Sequence, residues 1–195
     1  MGNKEKSLYR EYAEAIILAL IFALLIRTYV VQAFKIPSGS MIPTLLVGDQ
    51  ILVDKLVYLF REPKRGDIMV FKYPEDPSRD FIKRLIGLPG EKLEVRNRIV
   101  FINDQPLSEE MYAFHEHPTN YLPIARRDNY GPVVIPEGSY FMMGDNRENS
   151  ADSRWWGFLD ESMIVGRAFM TYWSRDISNM LPIGMRWDRF GMIIK

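Results

Sequence analysis

The chain has 195 residues, room for one domain with an appendage, and its lysines plus arginines balance its aspartates plus glutamates at 25 each. That balance excludes a bulk nucleic-acid binder, and the absence of cysteine excludes disulfide staples, thiolate metal sites and cysteine nucleophiles. A 47% hydrophobic content is enough for a packed core, and any histidine-based mechanism must use His115 or His117.

Residues 3–14 mix charges with Leu8, Tyr9, Tyr12 and Ala13. Ala15 to Ile26 is then unbroken apolar, and Thr28 to Phe34 continues that character past Arg27, which lies close enough to the end to snorkel. About 20 such residues suit a membrane span. A cleaved signal peptide would begin the same way, but no A-x-A-like site follows the core, so an uncleaved anchor is expected over residues 1–34. Lys4, Lys6 and Arg10 precede the span and predict a cytoplasmic N-terminus, with everything after about residue 34 outside the cell membrane.

Ile36 to Leu46 (IPSGSMIPTLL) follows at once. Pro37 and Pro43 fix φ and disfavour helix before them, predicting a rigid extended segment. Ser38, Gly39 and Ser40 are small enough for another backbone to approach. Such a segment either holds a serine hydroxyl beside a docked peptide or is an ordinary Ser/Gly/Pro loop. Ser40 lies six residues beyond Phe34, so even a fully extended tether keeps it within about 20 Å of the span.

The rest reads as strands. Gln50–Tyr58, Asp67–Tyr73 and Asp80–Ile86 are rich in branched and aromatic residues. Glu91–Arg96 and Ile99–Ile102 flank Asn97-Arg98 as a hairpin, and Asn103-Asp104 starts another turn. Residues 105–131 carry prolines and both histidines without periodicity, and read as an excursion. Val133–Ile135, Ser139–Met143 and Met163–Trp173 complete the set. Trp155-Trp156 and Tyr172-Trp173 suit either a core or a lipid interface.

In the Asp80–Ile86 strand, alternation puts Phe81, Lys83 and Leu85 on one face and Ile82, Arg84 and Ile86 on the other. Whichever face is buried takes a cation with it. Arginine cannot act as a base, whereas a desolvated lysine can lose its charge and serve a nearby hydroxyl. The alternative is a solvated pair guarding a sheet edge. Gly144 to Gly157 (GDNRENSADSRWWG) predicts tight turns in which Asp145 and Asp152 meet Arg147 or Arg154. Its spacing does not match a calcium loop.

A span, then PSGSMIPTLLVGD, DFIKRLIGLPGE and GDNRENSADSR with WGF after it, closely resembles the bacterial type I signal (leader) peptidases. The resemblance implies a mainly β, coiled-sheet catalytic domain over 35–195, outside the membrane, with a short accessory region at about 91–140. It implies a serine endopeptidase that needs no cofactor or metal and acts on preprotein signal peptides at the phospholipid bilayer. Ser40 would be the nucleophile and Lys83 the general base. The Ser40 N–H and Ser38 hydroxyl would form the oxyanion hole. Ser150 would orient the amine, and Asp145, Asp152 and Arg154 would support the site. Apolar subsites would fall on Ile36, Pro37, Met41, Leu45, Phe81 and Ile82, although Met41 can equally pack beneath the loop. This chain departs from the larger enterobacterial members in its shorter accessory region and its one span.

Three other readings compete. A Ser–His hydrolase or a His115–His117 metal site would lack a strand or the i,i+4 helical spacing to position the imidazoles. A non-catalytic, membrane-tethered peptide-binding module would have no reason to keep both Ser40 and Lys83. A repressor-type Ser–Lys protease would need a DNA-binding module where the span stands.

Overall fold

The computed structural model describes residues 8–115, 125–176 and 184–194. Helix α1 (Leu8–Leu25) passes into a π-helical turn, Ile26–Val30, and no residue of either is buried. Together they form a predominantly apolar helical stretch of 23 residues, about 35 Å long and enough to cross a hydrocarbon core. The apolar run was expected to reach Phe34 as one span, but the helical part stops at Val30. From Val31 the backbone hydrogen-bonds to a neighbouring strand instead, which satisfies its polar groups without a helix.

Strands β1 (Val31–Lys35), β2 (Asp49–Asp54), β3 (Ile68–Tyr73) and β4 (Asp76–Gly87) come first. They are followed by β5 (Lys92–Arg96), β6 (Ile99–Ile102), β7 (Gln105–Pro106), β8 (Tyr130–Val134) and β9 (Ser139–Met143). The last are β10 (Leu159–Asp160), β11 (Ile164–Ser174) and β12 (Met192–Ile193). Among the described residues they form an eight-stranded sheet ordered β1-β2-β11-β3-β4-β9-β10, with β12 on β11, and a four-stranded sheet ordered β7-β6-β5-β8. Every pairing is antiparallel. The mainly β class expected from the sequence is the one observed.

The expected Gln50–Tyr58 strand ends early, at Asp54. Its carboxylate accepts the Leu56 and Val57 N–H groups and turns the chain into a short helix, α2 (Val57–Phe60). The Asn97-Arg98 and Asn103-Asp104 turns form as expected, with positive φ at all four residues.

Strand β3 is buried on both faces, and its alternation feeds two cores. Ile68 and Val70 join Ile36, Met41, Leu45, Ile51 and Val53, while Met69 and Phe71 join Leu85, Tyr140, Met142 and Leu159. A third core, including Ile86, Leu93, Val100, Ile135 and Phe141, joins the large sheet to the small one. Trp156 packs against Phe71 and Tyr73, whereas Trp155 stays exposed. β4 therefore lies between β3 and β9, in the interior of the large sheet, and carries the site's cations with it.

Candidate active site

Residues 38–45 follow β1 as a run of turns rather than the extended segment expected. The Ile42 N–H donates to Gly39 O and the Leu45 N–H to Met41 O, which closes the chain on itself. Met41 and Leu45 are fully buried beneath this loop and anchor it in the core. They line neither of the cavities beside Ser40.

Ser40 emerges from the loop only 7% exposed, and Lys83 is 4% exposed on β4. Lys83 Nζ lies 2.9 Å from Ser40 Oγ and donates to the Ile82 carbonyl at 2.9 Å. The Phe81 ring lies 5.3 Å from the same nitrogen. The solvated edge pair is thus excluded: Lys83 and Arg84 are both buried, on an interior strand. Burial lowers the Lys83 pKa to about 8, against the opposing pull of Asp152 and Asp145. At pH 7 about a tenth of the amine is therefore uncharged, and its lone pair can accept the Ser40 proton.

Ser38 Oγ is 3.5 Å from Ser40 Oγ and exposed on the same side. Pro37, Ser38, Ser40, Arg79, Asp80, Phe81, Ile82, Lys83, Asn149 and Ala151 line an open groove of about 390 Å³. A smaller pocket of about 140 Å³ adjoins it, bounded by Ile36, Pro37, Ile51, Val70, Phe81 and Ile82 among others. Its walls are mostly apolar.

Behind the groove, ionic contacts lock the three motifs together. Arg84 donates to both oxygens of Asp145 at 2.8 Å, and Thr44 Oγ1 donates to Asp145 at 2.5 Å. This ties β4 and the serine loop to the third motif. Arg154 forks onto both oxygens of Asp152 at 2.8 Å and reaches the Arg127 and Arg147 carbonyls. Burial disfavours the Asp152 charge, but Arg154 and the Gly144 N–H hold its pKa below the usual carboxylate range. The serine loop is also fixed through its backbone. The Asn146 N–H donates to Ser40 O, and a Cβ at Gly144 would collide with that oxygen and with Ser150. Glycine is required there by close approach. Ser150 Oγ, placed by the sequence at the lysine amine, is buried against Gly144 and makes no hydrogen bond to Lys83.

Sequence reasoning missed several supports. Arg147 was expected to meet Asp145 or Asp152, but it forks onto Glu109 at 2.7 and 2.6 Å. Asp49 takes Arg189 and Ser174, and Arg189 also donates to Thr44 O at 2.8 Å. Pairs more than a hundred residues apart leave no local pattern to read. His115 does not line the groove, and burial beside Arg147 and Arg98 pushes its pKa down. His117 lies outside the described residues. Metal-sized groups of acidic or imidazole side chains are absent among the described residues.

An apolar helix leading into a β domain, with a serine hydroxyl against a buried and partly discharged lysine in an open groove, has the build of a membrane-tethered hydrolase. The family model described as signal peptidase, peptidase S26, matches residues 9–173. A probable signal peptidase I-1 from Synechocystis is 43% identical, covering 93% of this chain and 87% of its own. A signal peptidase I from Leptolyngbya laminosa is 42% identical over 87% of this chain and 82% of its own length. A solved signal peptidase I from Enterococcus faecalis is 34% identical over 55% of this chain and 97% of its own, at a TM-score of 0.46. The chain belongs to the signal peptidase family, peptidase S26.

Proposed function

We propose that this peptidase removes N-terminal signal peptides from exported preproteins through a Ser40–Lys83 dyad. The observation that carries the reading is the 2.9 Å approach of Lys83 Nζ to Ser40 Oγ, both side chains being largely buried. The neutral amine takes the hydroxyl proton as Oγ attacks the scissile carbonyl, then hands it to the leaving amine as the C–N bond breaks, which leaves an acyl-enzyme and a neutral Lys83. Lys83 then activates the water that releases the signal peptide. The Ser40 N–H and Ser38 Oγ–H hold the developing oxyanion, each such donor counting for roughly 10²–10³ in rate. Asp145, Asp152 and Arg154 keep the loop and the strand in register. Ser150 contributes packing behind the Ser40 carbonyl.

Substrate lies along the groove between Pro37 and β4, with Ile36, Pro37, Phe81 and Ile82 walling the small pocket. That size favours alanine before the scissile bond. Anchoring by Leu8–Val30, with the N-terminus in the cytoplasm, places the groove on the outer side near the bilayer, where the apolar core of a signal peptide ends.

The test is purified full-length protein, in vesicles, acting on a preprotein whose apolar core ends in Ala-x-Ala. The new N-terminus of the product is then sequenced. A cut after the second alanine is expected; a cut elsewhere, or none, overturns the reading.

A further inference from the structure

One apolar element is only half committed to a core, through Tyr58, which packs against the Met69–Phe71 cluster. Helix α2 reads VYLF, all of it hydrophobic or aromatic, yet none of its residues is buried. Leu59 is 75% exposed and Phe60 83% exposed at its tip. Isolated exposed leucines are ordinary, but an adjacent leucine and phenylalanine projecting from an apolar turn form a surface that water disfavours.

The fold fixes where this tip sits. β1 leaves the membrane helix directly, and β2 returns antiparallel to it, so Asp54 pairs with Val31 at the helix exit. The next residue is bonded to the helix end itself. The Lys55 N–H donates to Val30 O at 2.9 Å, and Lys55 Nζ donates to Thr28 O at 2.8 Å. Lys55 thereby supplies donors and positive charge to the carbonyl end of the helix. Leu59 and Phe60 follow four and five residues later, within about 18 Å along the chain at the most extended. Their nearness to the helix exit holds whatever tilt the β domain adopts. Tyr29, 64% exposed in the terminal turn, adds an aromatic ring of the kind that settles among headgroups.

We infer that the Leu59–Phe60 tip seats in the outer interfacial layer of the lipid bilayer, beside the exit of the membrane helix, as a second contact that orients the catalytic domain. The inference rests on the anchored topology proposed above. Its occupant is lipid rather than protein because Lys55, four residues before the tip, is bonded to the end of a helix whose apolar side chains are exposed throughout. The interfacial layer accepts apolar side chains to about 5–10 Å while nearby charged groups stay in water. Exposed Glu62 and Lys64, just beyond the tip, fit that depth limit.

The chain has no cysteine, so single labels can be introduced cleanly. Full-length Phe60→Cys and Leu20→Cys, each carrying an environment-sensitive fluorophore, are reconstituted in phosphatidylcholine–phosphatidylglycerol vesicles. Nitroxide lipids at shallow and deep positions, and aqueous iodide, serve as quenchers. The Phe60→Cys label should shift to the blue, respond most to shallow nitroxides and resist iodide, while the Leu20→Cys label responds to deep nitroxides. An iodide-accessible Phe60→Cys label beside a lipid-quenched Leu20→Cys label overturns the tip contact and leaves the anchor standing. An iodide-accessible Leu20→Cys label overturns the anchor and the tip contact with it. Shielding of the Phe60→Cys label that grows with the protein-to-lipid ratio, without nitroxide quenching, means a second copy covers the tip and also overturns the inference.

Discussion

Two buried cations stand side by side on β4, and the surroundings of each show what the other is for. Arg84 is met by a carboxylate in a two-pronged contact and by the Gly66 carbonyl, so its charge is compensated where it lies. Lys83 is offered only a hydroxyl and one carbonyl, and the nearest carboxylates are engaged by arginines and threonine. One region of the fold holds charge permanently to bind three motifs together. The other withholds a direct counter-ion, so that burial disfavours the amine's charge. Burial alone does not make a base; burial without a paired acid does.

The largest effect should come from the uncompensated side. Lys83→Met and Ser40→Ala should each cut preprotein turnover by at least about 10⁴-fold, by analogy with loss of a nucleophile or base in other serine hydrolases. Both should keep the unfolding midpoint close to that of the parent protein. Retained turnover in a clean Lys83→Met preparation would dismiss the dyad.

Asp145→Asn attacks the compensated side, leaving Arg84 charged and buried without its partner. A loss of about 3–5 kcal/mol is expected, seen as a midpoint lowered by on the order of 10 °C. The double variant Arg84→Met/Asp145→Leu, which removes both charges, should recover much of it. If Asp145→Asn melts with the parent, the ionic lock is not what holds the motifs together.

The smallest effect, and the one that sharpens the contrast most, is in pH. With the Lys83 pKa lowered to about 8, kcat/KM should fall close to tenfold per pH unit below that value and level off above it. Stability carries the same signature. Between about pH 8 and the ordinary lysine value of 10.5, the unfolded chain binds the proton that the folded one has released, so stability rises with pH across that window. The rise amounts to roughly 3 kcal/mol, and Lys83→Met should lack it. A kcat/KM profile that is flat from pH 6 to 9 would place the base elsewhere.

Much of the fold was open to sequence reasoning because its signals are local. Branched and aromatic content in Ile68–Tyr73 and Ser139–Met143 marks strands, and Asn97-Arg98 marks a hairpin, since each signal is complete within a few residues. The limits of elements were less legible. The span was read through Phe34 because composition does not show that Val31 finds a strand partner twenty-three residues later at Asp54. Likewise Gln50–Tyr58 reads as one strand until the Asp54 side chain turns back to its own backbone. Within the site, motif order pointed to Ser40, Lys83 and the Asp152–Arg154 pair. It left Met41 open between substrate and packing, and gave no hint that Leu45 would face the core or that Glu109 would take Arg147.

What the sequence determined by itself is an apolar anchor, a β domain and a set of reactive residue types in a fixed order. These depend on composition and short-range periodicity, which each segment carries alone. Only the tertiary structure decided which cation goes unpaired and which apolar tip is left beside the helix exit. A buried charge's fate is set by neighbours from other strands, and an apolar residue's by whether another element covers it. Both are decided by contacts between residues far apart in the chain.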